Sequence, residues 1–226
     1  FRHGALIYRS PDELAARGAE FAHPALAAGD PVLIVLSPDR ATAVREAIGS
    51  AEGVSFGDPA DWYRSPAAVI SGFHRWLAGQ DRERRPHAVG EPPPPPDHPP
   101  SAREWRRYEA QVNLAFAGRG ASVLCAYDAA ALSHEAVDWA LATHPELAGD
   151  PGGRNGGYRD PVEACRHLDA AELEPRPSRA RARPFRARAR EPRAFLRAEL
   201  SRLGAGGDLL DDLLLAGAEA VEAPDL

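Results

Sequence analysis

The sequence contains no lysine and no methionine, and only two cysteines among its 226 residues. Every strong side-chain cation is therefore arginine, and a phosphate loop closed by a lysine is excluded. Cys125 and Cys165 stand far apart in unlike settings. That excludes a disulfide framework and makes a reducing cytoplasm the expected compartment. No apolar run approaches the roughly 20 residues that a membrane span needs. No charged start, apolar stretch and small-residue cleavage site marks a signal peptide. A membrane is not an expected partner, and with a formal net charge of -6 neither is nucleic acid. The chain opens at Phe1, as a trimmed chain or a fragment would.

What is present is ordinary for a globular chain, at 44% hydrophobic and 27% charged residues, with room for one sizeable domain plus an appendage. The 22 prolines and 20 glycines are concentrated in a few places. Up to about residue 147, short apolar runs alternate with helical patterns. Ala5-Leu6-Ile7-Tyr8 reads as a strand, and Ser10-Pro11-Asp12-Glu13 as a helix start with N-cap, first-turn proline and capping box. Val32 to Leu36 is a continuous apolar run, as expected of a strand buried on both faces. Ser37-Pro38 and Ser65-Pro66 repeat the cap-and-proline device, and Val54-Ser55-Phe56 and His87-Ala88-Val89 are weaker strands. Pro92 to Pro96 is a polyproline loop. Ser101 to Glu104 opens a helix to about Ala117, Ser122 to Tyr127 is a strong strand, and Ser133 caps a helix ending before His144-Pro145. Alternating strands and helices with right-handed crossovers predict an α/β fold with a mostly parallel sheet flanked by helices.

Residues 148–193 read as a Gly/Pro/Arg-rich linker, apart from one capped helix start at Asp160-Pro161. Residues 194–226 carry helical spacing at Phe195, Leu196, Leu200 and Leu203, then a glycine-rich break, then Leu209 to Val221. Two helices cannot bury their apolar faces alone, so a C-terminal helical appendage, the truncated start of a second domain, is expected.

The chemistry is marked first by what the strand–helix turns lack. After Tyr8 come Arg9, Ser10 and Pro11, with no glycine and with a proline that removes an amide donor. Gly152-Gly153-Arg154-Asn155-Gly156-Gly157 follows no strand and reads as a flexible loop. The eight histidines are scattered without ligand spacing and read as surface or capped residues, His144 as a cation favoured by a helix C-terminus. No metal is expected. No Gly-x-Ser-x-Gly elbow occurs, and Cys125 lies inside an apolar strand, where thiols are inert, so no catalytic residue is expected.

Open parallel sheets bind ligands at the carboxyl ends of their strands. Those ends are Tyr8-Arg9, Ser37, Asp58, Glu91 and Tyr127-Asp128, with Ser37 explained as a cap. In the helix that follows the polyproline loop, Trp105, Tyr108, Val112 and Phe116 carry core spacing, while Glu109 and Asn113, four apart, share one face. Turned inward, both need polar partners. The arginines from Arg176 to Arg193 read as a solvated linker rather than a phosphate-binding strip.

The stretch from His3 to Pro145 resembles the MEDS domain, a prokaryotic sensory domain found in bacterial regulators, including actinobacterial regulators of sigma-factor partner switching. The resemblance rests on His3-Gly4-Ala5-Leu6-Ile7-Tyr8 with the Ser-Pro-Asp-Glu-Leu helix start, Gly29-Asp30-Pro31-Val32-Leu33, Gly90-Glu91-Pro92, Tyr108-Glu109-Ala110 with Asn113 and Ala115-Phe116, Leu124-Cys125-Ala126-Tyr127-Asp128, and Thr143-His144-Pro145. Where the family continues from Glu-Pro into a Trp-containing loop, this chain has Pro93 to Pro96. The resemblance implies a RecA-like fold without a phosphate loop and the sensing of a small organic molecule, of the class of simple hydrocarbon derivatives, without chemistry on it. Strand ends, the shared helix face and the matched motifs together make Tyr8, Glu91, Glu109, Asn113, Tyr127, Asp128 and His144 the candidate ligand-binding set, and no cofactor is expected. Asp211 to Val221 resembles the first long helix of a histidine-kinase-type ATPase domain of the anti-sigma-factor serine-kinase sort. Such domains bind magnesium through an asparagine four residues after a glutamate like Glu219. Here Ala223 stands in its place, so ATP binding of that kind is not expected.

The expected function is a sensory module of signal transduction, in sigma-factor regulation, that binds a small molecule or a regulatory protein of the anti-sigma or anti-anti-sigma type. The alternatives are an anti-sigma-factor serine kinase whose ATPase domain is cut short, and a protein-interaction scaffold that uses the polyproline loop and the arginine-rich linker.

Overall fold

A computed structural model of the chain describes residues 1–50, 52–93, 99–149, 155–170 and 190–202. The elements in chain order are β1 (Arg2–Tyr8), α1 (Pro11–Ala27), β2 (Val32–Val35), α2 (Pro38–Ile48), β3 (Val54–Phe56), α3 (Pro59–Trp62), α4 (Pro66–Ala78), β4 (His87–Gly90), α5 (Pro99–Ala115), β5 (Ser122–Asp128), α6 (His134–Thr143), β6 (Glu146–Leu147), α7 (Pro161–Asp169) and α8 (Arg190–Arg202). Two compact units divide the chain, residues 1–174 and residues 175–226. Of the second unit only α8 is described. The expected helix from Leu209 to Val221, Glu219 within it, and Pro94 to Pro96 all lie outside the described residues.

Six strands form one sheet in the order β3-β2-β4-β5-β1-β6, every pairing parallel. Period-2 alternation sends Leu6, Tyr8, Val32, Ile34, Val89, Leu124 and Ala126 to one face, where α1 and α2 cover them. It sends Leu33, Val35 and Ala88 to the other, under α4 and α5, and Ala5, Cys125 and Tyr127 beneath α6. The chain therefore leaves β1 and β2 toward one face and β4 and β5 toward the other. Connections diverge between neighbouring β2 and β4, which opens a crevice at their carboxyl ends.

Local rules account for most boundaries. Ser10 caps α1 by accepting the Glu13 amide at 3.2 Å, and Ser65, Ser133 and Asp160 cap α4, α6 and α7 in the same way. The Glu13 carboxylate closes its box one residue early, on the Arg9 amide at 2.8 Å.

Several elements depart from the sequence-based expectation. α5 begins at Pro99, two residues before the Ser101 capping box, because prolines with preset φ are tolerated in a first helical turn. Helix α3 was not expected, and Asp58 serves as its N-cap, accepting the Ala60 amide at 2.8 Å. Ser37 occupies the N-cap position of α2 but makes no side-chain capping bond. β6, only two residues long, pairs with β1 at Gly4 and Ala5. Residues 155–157, read as part of a flexible loop, are tied down: Asn155 donates its side-chain amide to the carbonyls of Leu141 and, at 2.8 Å, His144. α7 belongs to the first unit rather than to a linker, and Arg107 of α5 pairs with its Asp169.

Candidate functional site

The carboxyl ends of β2, β4 and β5 open on one cleft of about 420 Å³, within the size range of small-molecule sites. Its floor is charged. Tyr8 ends β1, Glu91 follows β4, and Asp128 ends β5 opposite Tyr8 in register. All three point to the α1/α2 face, where Arg40 from the first turn of α2 joins them. The Tyr8 hydroxyl donates to Glu91 Oε1 at 2.6 Å. Arg40 pairs with the same Glu91 oxygen through Nη1, and with Asp128 Oδ2 at 2.8 Å through Nη2. The guanidinium carbon also sits 5.5 Å from the Tyr8 ring centroid, a cation–π contact. Burial and the bond to Glu91 push the Tyr8 phenol well above its ordinary range, so it stays a hydrogen-bond donor. One guanidinium facing two carboxylates leaves a formal excess of one negative charge. Pro59, Ala60, Pro92, Pro93, Ala131 and Leu132 make the rest of the lining mostly apolar, and Ser37 and Tyr63 add hydroxyls.

The start of α1 is poorly suited to a phosphate. Pro11 has no amide, Ser10 and Glu13 occupy the amides of Glu13 and Arg9, and Asp12 and Glu13 set negative charge in the first turn.

The other four expected residues lie on the opposite face of the sheet, in the interior. Tyr127 and Asp128 are consecutive in β5, so they point apart. The Tyr127 hydroxyl donates to Glu109 Oε2 at 2.8 Å and lies 3.4 Å from His144 Nε2. Asn113 donates to the Thr143 carbonyl at 2.8 Å and presents its Oδ1 to His3 Nδ1 at 3.1 Å. The shared face of Glu109 and Asn113 is thus turned inward, with partners supplied. Burial raises the Glu109 carboxyl to about 7, opposed by the Tyr127 hydrogen bond. His144, expected as a surface cation, is 0% exposed; burial lowers it to about 4, so it is neutral. A crevice of about 30 Å³, room for about one water, touches Glu109 and Tyr127 and shares Pro92, Pro93 and Leu132 with the cleft.

The family model of the methanogen/methylotroph, DcmR sensory domain, MEDS, matches residues 2–145, which span β1 to the end of α6 and hold both groups of residues. The chain belongs to the MEDS family. No curated protein and no solved structure matches it. The MEDS family is a sensory one, so the domain is a sensory module. Among the described residues no helix is long and apolar enough to cross a membrane.

Within this MEDS domain the seven expected residues divide into Glu91 and Asp128 on the cleft, Tyr8 buried behind Glu91, and Glu109, Asn113, Tyr127 and His144 in the interior. Sequence reasoning missed Arg40, which unites the cleft carboxylates; the signal was an arginine one turn beyond the end of a buried strand. It also missed His3 and Cys125, which meet in the interior network at 3.4 Å between Nε2 and Sγ. Their places on alternating strand positions facing α5 and α6 were the available signal, but only the pairing of β1 with β5 joins them.

Proposed function

We propose that this MEDS domain senses a small, mostly apolar organic molecule carrying a hydrogen-bond donor or an amine, bound in the cleft over the carboxyl ends of β2, β4 and β5. The observation that carries this reading is the charged floor of Arg40, Glu91 and Asp128, backed by the buried Tyr8 hydroxyl, beneath an otherwise apolar lining. The formal negative excess favours a donor or cation, and the cleft volume fits a simple hydrocarbon derivative. In this reading the domain acts without catalysis: Glu91 and Asp128 are paired with Arg40, and Pro11 removes an amide from the α1 N-terminus. The output is sigma-factor regulation through a protein partner of the anti-sigma or anti-anti-sigma type, a reading supported by the resemblance of Asp211 to Val221 to an anti-sigma serine-kinase helix. Cys125 and Cys165, both free thiols, agree with work in a reducing cytoplasm.

Thermal-shift measurements on the full chain test the reading, with a panel of short alcohols, amines, halogenated alkanes and carboxylic acids, and ATP. A stabilising organic compound whose shift disappears in Ala60→Trp, which fills the cleft, is the expected result. A shift with ATP alone, or one that survives Ala60→Trp, would sink it.

A further inference from the structure

We propose that His3, Cys125 and His144, with Glu109 as fourth ligand, form a binding site for a divalent transition metal of the zinc type. One nitrogen from each imidazole and the Cys125 sulfur lie within 4.8 Å of one another, the one such group of three among the described residues. His3 Nε2 and Cys125 Sγ, at 3.4 Å, already stand at the separation of neighbouring ligands around tetrahedral zinc, whose bonds are about 2.0–2.3 Å. Glu109 Oε2 lies 3.8 Å from His144 Nε2, outside that group of three, and would close on the ion as the fourth donor. The mixture of imidazole, thiolate and carboxylate suits zinc and its neighbours rather than magnesium or calcium.

The surroundings are those of a held site. His144 Nδ1 donates to the Ala140 carbonyl at 2.7 Å, and His3 Nδ1 donates to Asn113 Oδ1, whose orientation is fixed by the Asn113 bond to Thr143. Both rings are therefore locked in the tautomer whose Nε2 carries the free lone pair, the arrangement that outer partners impose on metal-ligating histidines. The ring centroids are 4.0 Å apart, and His3 and His144 are 1% and 0% exposed. The His3 lone pair faces the Cys125 thiol, and the hydroxyl beside the His144 lone pair, that of Tyr127 at 3.4 Å, is already given to Glu109. A divalent ion satisfies both lone pairs. It binds with release of the Cys125 thiol proton, and of the Glu109 proton where one is held, to solvent. The resulting centre has two positive charges on the metal and one negative charge each on Cys125 and Glu109, so the interior stays neutral. β1, β5, α5 and the end of α6 would be clamped at one point. The inference does not rest on the cleft, whose lining includes none of the four proposed ligands.

Cobalt titration tests it on the full chain carrying Cys165→Ser, so that Cys125 is its one thiol. The expected result is a thiolate-to-cobalt charge-transfer band with tetrahedral d–d bands, saturating at one equivalent and bleached by zinc. No band at any cobalt excess would overturn the proposal. His3→Gln, with a native circular dichroism spectrum, should abolish the band, and an unchanged band would likewise overturn it. If that variant does not fold, Asn113→Ala serves in its place. It leaves all four ligands present but frees the His3 ring, and should weaken cobalt binding by about 10–100-fold; unchanged affinity would count against the site.

Discussion

Arg40 shows how one residue can join chemistry that the chain keeps far apart. Its guanidinium holds Glu91 and Asp128, whose side chains are only 15% and 18% exposed. Arg40→Ala leaves two neighbouring carboxylates without their cation and should lower stability by about 1–3 kcal/mol, read as the urea midpoint at constant slope. In the interior, the titrating groups oppose one another. His144 is held below its ordinary 6.5, at about 4, so the unfolded chain takes up its proton first; its stabilising contribution is present above 6.5 and lost as pH falls toward 4. His3 is lowered in the same direction, chiefly by burial and then by His144. Glu109, raised from 4.5 to about 7, contributes stability below 4.5 that is lost as pH rises through 7. With chelator present, acid should therefore destabilise the chain between about pH 6.5 and 4 through His144, with His3 acting in the same direction and Glu109 partly offsetting both. Glu109→Gln should steepen that loss, and an unchanged pH profile would refute the assignment.

The elements are held at their ends by single side chains. Ser10 illustrates the ordinary case, and Ser10→Ala should cost about 1 kcal/mol of stability. Asn155 is less ordinary. It satisfies the free carbonyls at the C-terminus of α6, and the Arg159 amide adds a bond to Ala142 at 2.9 Å. Asn155→Ala should destabilise by about 1–3 kcal/mol and loosen His144, whose own carbonyl accepts from Asn155. Thermal unfolding, with amide exchange at the end of α6, would read both effects. β4 carries a tighter requirement at Gly90. A Cβ there would overlap the Tyr63 hydroxyl, so Gly90→Ala should displace a side chain that lines the cleft.

For the whole molecule, the boundary of the sensory unit decides which fragment folds. Residues 1–174 include α7 and the Asn155 ties, while residues 1–147 lack both. The longer fragment should unfold in one cooperative step, and the shorter should melt lower or fail to fold. Equal melting temperatures would show α7 to be dispensable. The α/β order, the parallel sheet, the absent phosphate loop and most helix starts were legible in the sequence, because caps, first-turn prolines and apolar runs act within a few residues. Short-range rules failed where long-range contacts overrode them. β6 exists because β1 offers it an edge, and Ser37 makes no cap although its residue type fits one. The seven expected ligand-binding residues could be picked by type and position, but not how the fold would divide them. Tyr127 and Asp128 are neighbours in sequence, and the pleat sends them to opposite faces. His3, Cys125 and His144 have no ligand spacing, and only the pairing of β1 with β5 and the turn after α6 brings them together. The sequence alone determined most of the strands and helices, α3 and β6 excepted, since those follow from local periodicity and capping. The tertiary structure decided which side chains share a cavity, since that depends on strand order and register, which no local pattern encodes.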